Sequence, residues 1–419
     1  MDTLPSGYMG LTLICILRVF GQEINKMRIG QFTDSFLPIV DGVGRVVYGY
    51  ADALSRRGHE CYVITPISDA GFRGKYPFDI VDFYGVTVPE YTQYKIGIPA
   101  WDIHYHERIK TIKFDIIHVH SPFRSGFEGL RLAKKMKIPL VGTFHSKYYE
   151  DFLQALKVQP LAEAGALLVG DFYKKCDEVW AVSEISAEAL RSYGYKGDVR
   201  IMRNGTEVRK PDRKNVNYVK STFNLGDVPV ILFVGQMNWK KNIQKVLEAV
   251  SLLDRQGYTT KLILAGQGPH TEEIKRKITE LNISHVVEMA GHISDVNILD
   301  GLYGVAEILA FPSLYDNSPM VVREAAAMMT PSLLVRHSSA SEGITDGYNG
   351  YLCEDDSKDI ASVLKRVLFE EKNRVRQVGR NAQMTIPVSW DIVVEDVEKC
   401  YSDLIHIKKN RRIGRKEYV

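Results

Sequence analysis

From Met27 onward the chain alternates short apolar runs with longer amphipathic stretches. "RIGQFT" is followed by a helical pattern over residues 43–57, then by "CYVIT" and "FDIIHVH". A helix near 125–136, "PLVGTF", "EVWAVS", a helix near 185–193 and "VRIM" complete this first series. Apolar residues run almost unbroken through the strands, as in strands covered by helices on both faces. Alternation of such strands with helices predicts a parallel, doubly wound α/β sheet.

The pattern pauses over residues 204–229, "NGTEVRKPDRKNVNYVKSTFNLGDVP", a polar, turn-rich segment that reads as a linker with a short helix. A second series opens at "VPVILFVG" and continues through "TKLILAG", "VVEMAG", "EILAFPS" and "PSLLV". This predicts two Rossmann-like domains, at 27–205 and 225–385, joined by a linker at 206–224. A last amphipathic helix within 386–407 follows "SW" and is expected to return to the first domain; 408–419 form a basic tail. Two such domains leave a cleft between the C-terminal ends of their sheets, where open α/β sheets bind ligands. Residues 1–26 read as an extension before the strand at Met27. Its apolar run "MGLTLICILRVFG" is interrupted by Arg18, and an interfacial anchor is the alternative.

A length of 419 residues suits two domains, and 45% hydrophobic with 25% charged residues is ordinary for a globular chain. The net charge of +3 is too small to imply nucleic acid. Cys15, Cys61, Cys176, Cys353 and Cys400 are scattered without a CxxC pair. That spacing implies a reducing, cytoplasmic compartment and neither a disulfide framework nor a zinc cage. Nothing is long and apolar enough to span a bilayer.

Candidate chemistry gathers at the strand ends of the second series. Gly235 follows one strand, with Lys241 and Asn242 where a helix begins; Gly266, Gly268 and Pro269 follow the next; Gly291, His292 and Ile293 the third. Glycine admits a ligand to the backbone and lysine can neutralise phosphate, although tight turns also demand glycine. In "LYDNSPMVVREAAAMM", Ser318 fits an N-cap and Pro319 the first helical position. The free N–H groups there would seat a diphosphate. Asp316 stands just before that seat, and Glu324 lies roughly 7.5 Å beyond Pro319 along the axis, at 1.5 Å per residue. One carboxylate could reach the reacting group and the other could grip a diol such as ribose. Alternatively Asp316 caps a turn and Glu324 is a solvated or ion-paired helix residue.

Two Rossmann-like halves with a carboxylate, seven residues and a Glu in this setting resemble the GT-B retaining glycosyltransferases of family 4. "GHISDVNILDGLYGVAEILAFPS" and "IMRNGTE" extend the resemblance, which covers residues 27 to about 405. It implies transfer of a hexose from a nucleotide sugar, UDP-linked, with retention of configuration and no essential divalent metal or other cofactor. It also implies that Glu324 holds the donor ribose and Asp316 contacts the donor sugar. Backbone at His292 and Ile293 would face the base, and N–H groups of Met320, Val321 and Val322 would bind diphosphate. Gly235, Gln236 and Lys241 would complete the donor side. The chain departs from the family at Gln236, where an Arg is usual, and at Asp316, where a Glu is usual. A missing charge-assisted hydrogen bond to phosphate is worth about 1.5–3 kcal/mol; Lys240, Lys241 or Arg323 are candidates to replace it.

In the first domain, "FLPIVDGVGRVV" has Gly42 and Gly44 where its helix opens, but Val47 where a dinucleotide fingerprint needs a third glycine. That argues against a nicotinamide-dependent oxidoreductase or epimerase. The resemblance puts Gly42 against donor phosphate or acceptor, with Val43 on the acceptor side. In "VGTFHSKYYEDF" it has His145 touch the donor sugar. The run His-Ser-Lys-Tyr-Tyr-Glu-Asp is most similar to members that glucosylate diacylglycerol, which makes Lys147, Tyr148 and Tyr149 acceptor-side candidates. His118 and His120 share one strand face without matching metal-ligand spacing, and "HYHER" reads as solvated surface. Aromatic and basic clusters, "FRGKYPF" and "YTQYK", and the tail with Lys408, Lys409, Arg411, Arg412, Arg415 and Lys416 would suit an anionic membrane surface. A glycan of an envelope polymer is the rival acceptor, and a non-catalytic sugar-nucleotide binder the rival of another class.

Overall fold

In the computed structural model, residues 26–37, 41–66, 75–88, 91–207, 209 and 212–414 are described. In chain order the first strands are β1 (Arg28–Phe32), β2 (Glu60–Thr65) and β3 (Asp79–Asp82), then the hairpin β4 (Gly85–Val88) and β5 (Tyr91–Gly97). There follow β6 (Ile116–Val119), β7 (Leu140–Phe144), β8 (Glu178–Ala181) and β9 (Arg200–Ile201). All but the hairpin form one parallel sheet in the order β3-β2-β1-β6-β7-β8-β9. The second series supplies β10 (Val230–Val234), β11 (Lys261–Ala265), β12 (Val287–Gly291), β13 (Ile308–Ala310), β14 (Ser332–Val335) and β15 (Tyr351–Cys353). They form a parallel sheet in the order β12-β11-β10-β13-β14-β15. Chain order reverses beside β1 in one sheet and beside β10 in the other, which opens a crevice at the C-terminal ends of β1/β6 and β10/β13. The two crevices face each other.

Residues in the strands are buried on both faces, as their unbroken apolar runs require: Ile29, Phe32, Ile116, Ile117 and Val119 in one sheet, Ile231, Leu232, Phe233, Ile308 and Leu309 in the other. The segment joining the domains contains the helix Arg213–Thr222, which packs on the helix Val296–Val305. Gly301 permits that contact, since a Cβ there would lie 2.6 Å from Asn215 O.

The last helix, Trp390–Gly414, crosses back to the first domain, where Trp390, Val394, Val397 and Tyr401 join the core cluster of Ile29, Val47 and Trp180. Its entry is fixed by two glycines. A Cβ on Gly49 would stand 2.1 Å, and one on Gly205 2.5 Å, from Trp390 ring atoms. The helix runs past residue 407, and Lys408 Nζ pairs with Asp177 at 2.5 Å. The start of the expected tail is thus docked helix; residues 415–419, like 1–25, 72–74 of "FRGKYPF" and Cys15, lie outside the described residues.

Three further expectations need correction. Periodicity assigns no element between β7 and β8, yet helices Tyr148–Leu156 and Gln159–Tyr173 fill that stretch. Leu161, Leu167 and Leu168 occupy the exposed face of the second of these, so apolar residues surround it and blur the 3.6-residue period. "HYHER" is not wholly solvated: Tyr105 is buried and its hydroxyl donates to Glu128 at 2.9 Å. Finally, the helix Met320–Ala327 has Pro319, not Ser318, as its N-cap, with Pro319 at φ −65°, ψ 127°. Proline's fixed φ is compatible with an extended cap, and the Ser318 hydroxyl makes no hydrogen bond.

Candidate active site

Between the domains lies a cavity of about 780 Å³ lined from both sides. From the first domain, Asp34, Gly42, Val43, Arg45 and Val46 come from the end of β1 and its helix, and His145 to Lys147 follow β7. From the second, Gly235, Gln236 and Lys241 follow β10, Gly266 follows β11, His292 and Ile293 follow β12, and residues 315–321 follow β13. Gly266 has φ +141°, and a Cβ on it would come within 1.8 Å of Gly235 O, so glycine is required where these two strand-end loops meet.

Lys241 Nζ contacts Asp316 Oδ1 at 2.5 Å, and Ser313 donates to Asp316 Oδ2 at 2.6 Å. This fixed carboxylate–ammonium pair stands just before the N-terminus of Met320–Ala327, where Met320 and Val321 line the cavity. Val322 does not: its side chain is in the second-domain core and its N–H donates to Pro319 O at 3.3 Å, so it is removed from the expected diphosphate donors. Tyr315 lies between two ammonium groups, with Lys240 Nζ 4.9 Å and Lys241 Nζ 5.1 Å from its ring centre. Its hydroxyl donates to Asp151 at 2.8 Å, and Lys240 reaches the same carboxylate at 3.0 Å. Asp151 belongs to the first domain, so this contact spans the cleft.

Glu324 is 3% exposed and is not on the cavity wall. One oxygen is held by the Arg45 guanidinium from the opposite domain; the other accepts from the Tyr303 hydroxyl at 3.0 Å. The ion-paired alternative therefore describes Glu324, although the pair is buried rather than solvated. Arg45 has only a weak sequence signal: it stands three positions after Gly42, in the first turn of the helix. Asp41 precedes it as N-cap and accepts from Gly44 N at 2.7 Å.

His145 is buried, and burial pushes its pKa down to about 3, so the imidazole is neutral. Its carbonyl accepts from Asn317 Nδ2 at 2.8 Å, a second link across the cleft. Behind it the nitrogens of His118 and His120 are engaged by Tyr401, Thr143, His145 and Gln31. Among the described residues no group of three His, Cys, Asp or Glu is arranged to hold a metal ion.

The acceptor-side expectations are divided. Val43 and Lys147 line the cavity. Tyr148 and Tyr149 do not: a helix begins at Tyr148 and turns its aromatic face inward. Tyr148 packs on Phe144 and Phe123, and the N–H of Tyr149 donates to the Tyr193 hydroxyl at 2.9 Å. Arg323, a candidate to replace the cation absent at Gln236, is also turned away. Its Nε donates to Asn204 O at 3.2 Å, and burial with nearby Arg203 lowers its pKa to about 10.

Comparison with known proteins bears on this arrangement. The profile of Glycosyltransferase Family 4 matches residues 40–210, and that of Glycosyl transferases group 1 matches residues 217–384. The chain belongs to the family 4 glycosyltransferases. Its two facing parallel-sheet domains are the GT-B fold, and the molecule is a sugar-transferring enzyme. An alpha-monoglucosyldiacylglycerol synthase of Acholeplasma laidlawii is 24% identical over 93% of this chain and 100% of its own. A GDP-mannose-dependent alpha-mannosyltransferase of Corynebacterium glutamicum is 23% identical over 92% of this chain and 91% of its own. Among solved structures, Anabaena Alr3699/HepE in complex with UDP superposes with a TM-score of 0.74 at 16% identity, covering 90% of this chain and 100% of that one.

Proposed function

We propose that this glycosyltransferase moves a hexose from a nucleotide sugar, UDP-linked, to a hydroxyl of a lipid such as diacylglycerol, with retention of configuration and no essential divalent metal. The observation that carries the reading is the Lys241–Asp316 pair fixed at the mouth of the helix Met320–Ala327, inside a cavity shared by both domains. Charge grows on the diphosphate as the glycosidic bond breaks. Lys241 and the N–H groups of Met320 and Val321 are disposed to stabilise it. Asp316 and neutral His145 orient the sugar, and the leaving phosphate takes the proton of the acceptor hydroxyl as the new bond forms. Closure of the domains keeps out the water that would otherwise hydrolyse the donor.

The lipid acceptor is supported by a surface that lies beside the cleft. Leu153, Leu156, Val158, Leu161, Leu167 and Leu168 are exposed on the two helices that begin directly after cleft-lining Lys147, with exposed Lys157 between them. A monomer rarely leaves this much adjacent aliphatic surface in water; an apolar face of this kind, with Lys157 beside it, fits the interfacial zone of an anionic bilayer on its cytoplasmic side. No helix among the described residues is long and apolar enough to cross a membrane. The names of relatives that act on diacylglycerol point the same way.

The first test is thermal unfolding with UDP-glucose, UDP-galactose, UDP-N-acetylglucosamine and GDP-mannose. Donor at a hundred times its Kd adds about 2.7 kcal/mol of stability. Incubation of the protecting donor with diacylglycerol vesicles should yield an α-linked glycolipid. Protection without product on any lipid or glycan would support a non-catalytic binder. Product on glycan alone would overturn the lipid assignment.

A further inference from the structure

We propose that Arg45 is a donor-side residue with two positions: the one seen here, paired with Glu324, and one on the diphosphate, taken up when a nucleoside diphosphate brings its ribose to Glu324. The inference rests on the reading of Glu324 as a diol ligand.

Glu324 is closed off from the cavity, while Arg45, in contact with it, lines the cavity and is 33% exposed. A ligand entering the cleft therefore meets the guanidinium before the carboxylate. Tyr303 already holds the other Glu324 oxygen, so a ribose diol that reaches the carboxylate must displace Arg45 or share its oxygen. A guanidinium displaced from Glu324 into the cleft is drawn to a new anion. The helix start supplies the location. Met320 precedes Glu324 by one turn, about 6 Å along the axis, a displacement that a change of arginine rotamer can cover. Lys241, another cation lining the cavity, is already matched by Asp316. Arg45 brings a planar fork that can grip two phosphate oxygens at once. Because Arg45 comes from the first domain, its transfer would tie nucleotide binding to the closed arrangement of the two domains.

The test is calorimetric titration of the full chain with UDP and with uridine, and in parallel with GDP and guanosine. Arg45→Ala should weaken the nucleoside diphosphate at least tenfold and leave the nucleoside unchanged or tighter, because nothing then has to leave Glu324. Arg45→Gln, which keeps an amide donor for Glu324 and guards against misfolding, should show the same loss for the diphosphate. Equal weakening of diphosphate and nucleoside, or no change in either, would overturn the role of Arg45 and leave the donor reading intact. Failure of the unaltered protein to bind any of the diphosphates would overturn both.

Discussion

Three buried imidazoles should make this protein lose stability in mild acid. His118 is held between the Tyr401 hydroxyl at 2.7 Å and Thr143 at 2.6 Å; His120 meets His145 at 3.0 Å and Gln31 at 2.7 Å. None of these partners is a carboxylate, so a proton taken up by any ring would be an uncompensated buried charge. Burial brings His145 to about 3 and holds His118 and His120 well below 6.5, with mutual repulsion between the rings adding to the effect. The unfolded chain, with imidazoles near 6.5, binds protons that the folded domain refuses. Stability is therefore full above that value and declines as pH falls below it. Between pH 7.5 and 5.5 each unfolded imidazole goes from about one-tenth to about nine-tenths protonated, worth about 1.4 kcal/mol, or about 4 kcal/mol for three. Burial raises the Asp34, Asp300 and Glu307 carboxyls, which acts in the opposite sense and offsets part of this fall. Urea unfolding can be followed by tryptophan fluorescence, since Trp180 stacks on Tyr401 at 5.7 Å within this cluster. His145→Asn should reduce the fall to about 2.7 kcal/mol by the same arithmetic. A change below about 1 kcal/mol in the unaltered protein would refute the assignment of three neutral, proton-refusing rings.

Gly49→Ala places a methyl group 2.1 Å from the Trp390 ring and should cost about 1–3 kcal/mol in urea unfolding by prising off the last helix; unchanged stability would mean that Trp390 does not anchor it. Asp151→Ala removes the partner of Lys240 and Tyr315 across the cleft and should lower turnover about tenfold while donor affinity stays within about twofold, read by steady-state kinetics and titration. A matching loss of donor affinity would show that Asp151 supports the donor site itself and not closure. Leu161→Glu with Leu168→Glu alters two side chains exposed by 53% and 69%. Stability should move by no more than about 0.5 kcal/mol while sedimentation with anionic vesicles is lost, and retained sedimentation would remove this face from the membrane assignment.

How much of this was legible in the sequence depended on whether a residue's environment is local. The strands were plain because burial on both faces leaves runs such as "VILFVG" with no polar break, and the parallel sheets followed from their alternation with helices. Gly235, Lys241, His292 and Asp316 could be found because strand ends in this architecture point at the cleft. Tyr148 and Tyr149 could not be oriented, since an aromatic pair after a strand end fits a cleft wall or a helix's inner face equally well until the helix Tyr148–Leu156 is known. The Arg45–Glu324 pair joins residues 279 positions apart on different domains, and no periodicity within either helix encodes it.

The distribution of contacts between the domains bears on how the cleft works. Arg45 with Glu324, Lys240 and Tyr315 with Asp151, Asn317 with the His145 carbonyl, and Glu342 with the N–H groups of Glu184 and Ile185 are all polar. Met320 alone among second-domain side chains joins the first-domain core cluster, among the described residues. Because the set is polar, parting the domains exposes little apolar surface, and the buried Arg45–Glu324 pair is the contact whose separation costs most unless each partner is matched again. The two chain crossings behave differently. Thr206 N donates to Val388 O at 2.8 Å, Thr206 pairs with Ser389, and Trp390 sits between Gly49 and Gly205, so both crossings are packed together on the first domain. A rotation that opens the cleft must then pivot near these paired crossings. Arg45, which both lines the cleft and pairs across it, is placed where closure and ligand charge act on the same side chain, and an anion bound between the domains changes the balance that holds them together.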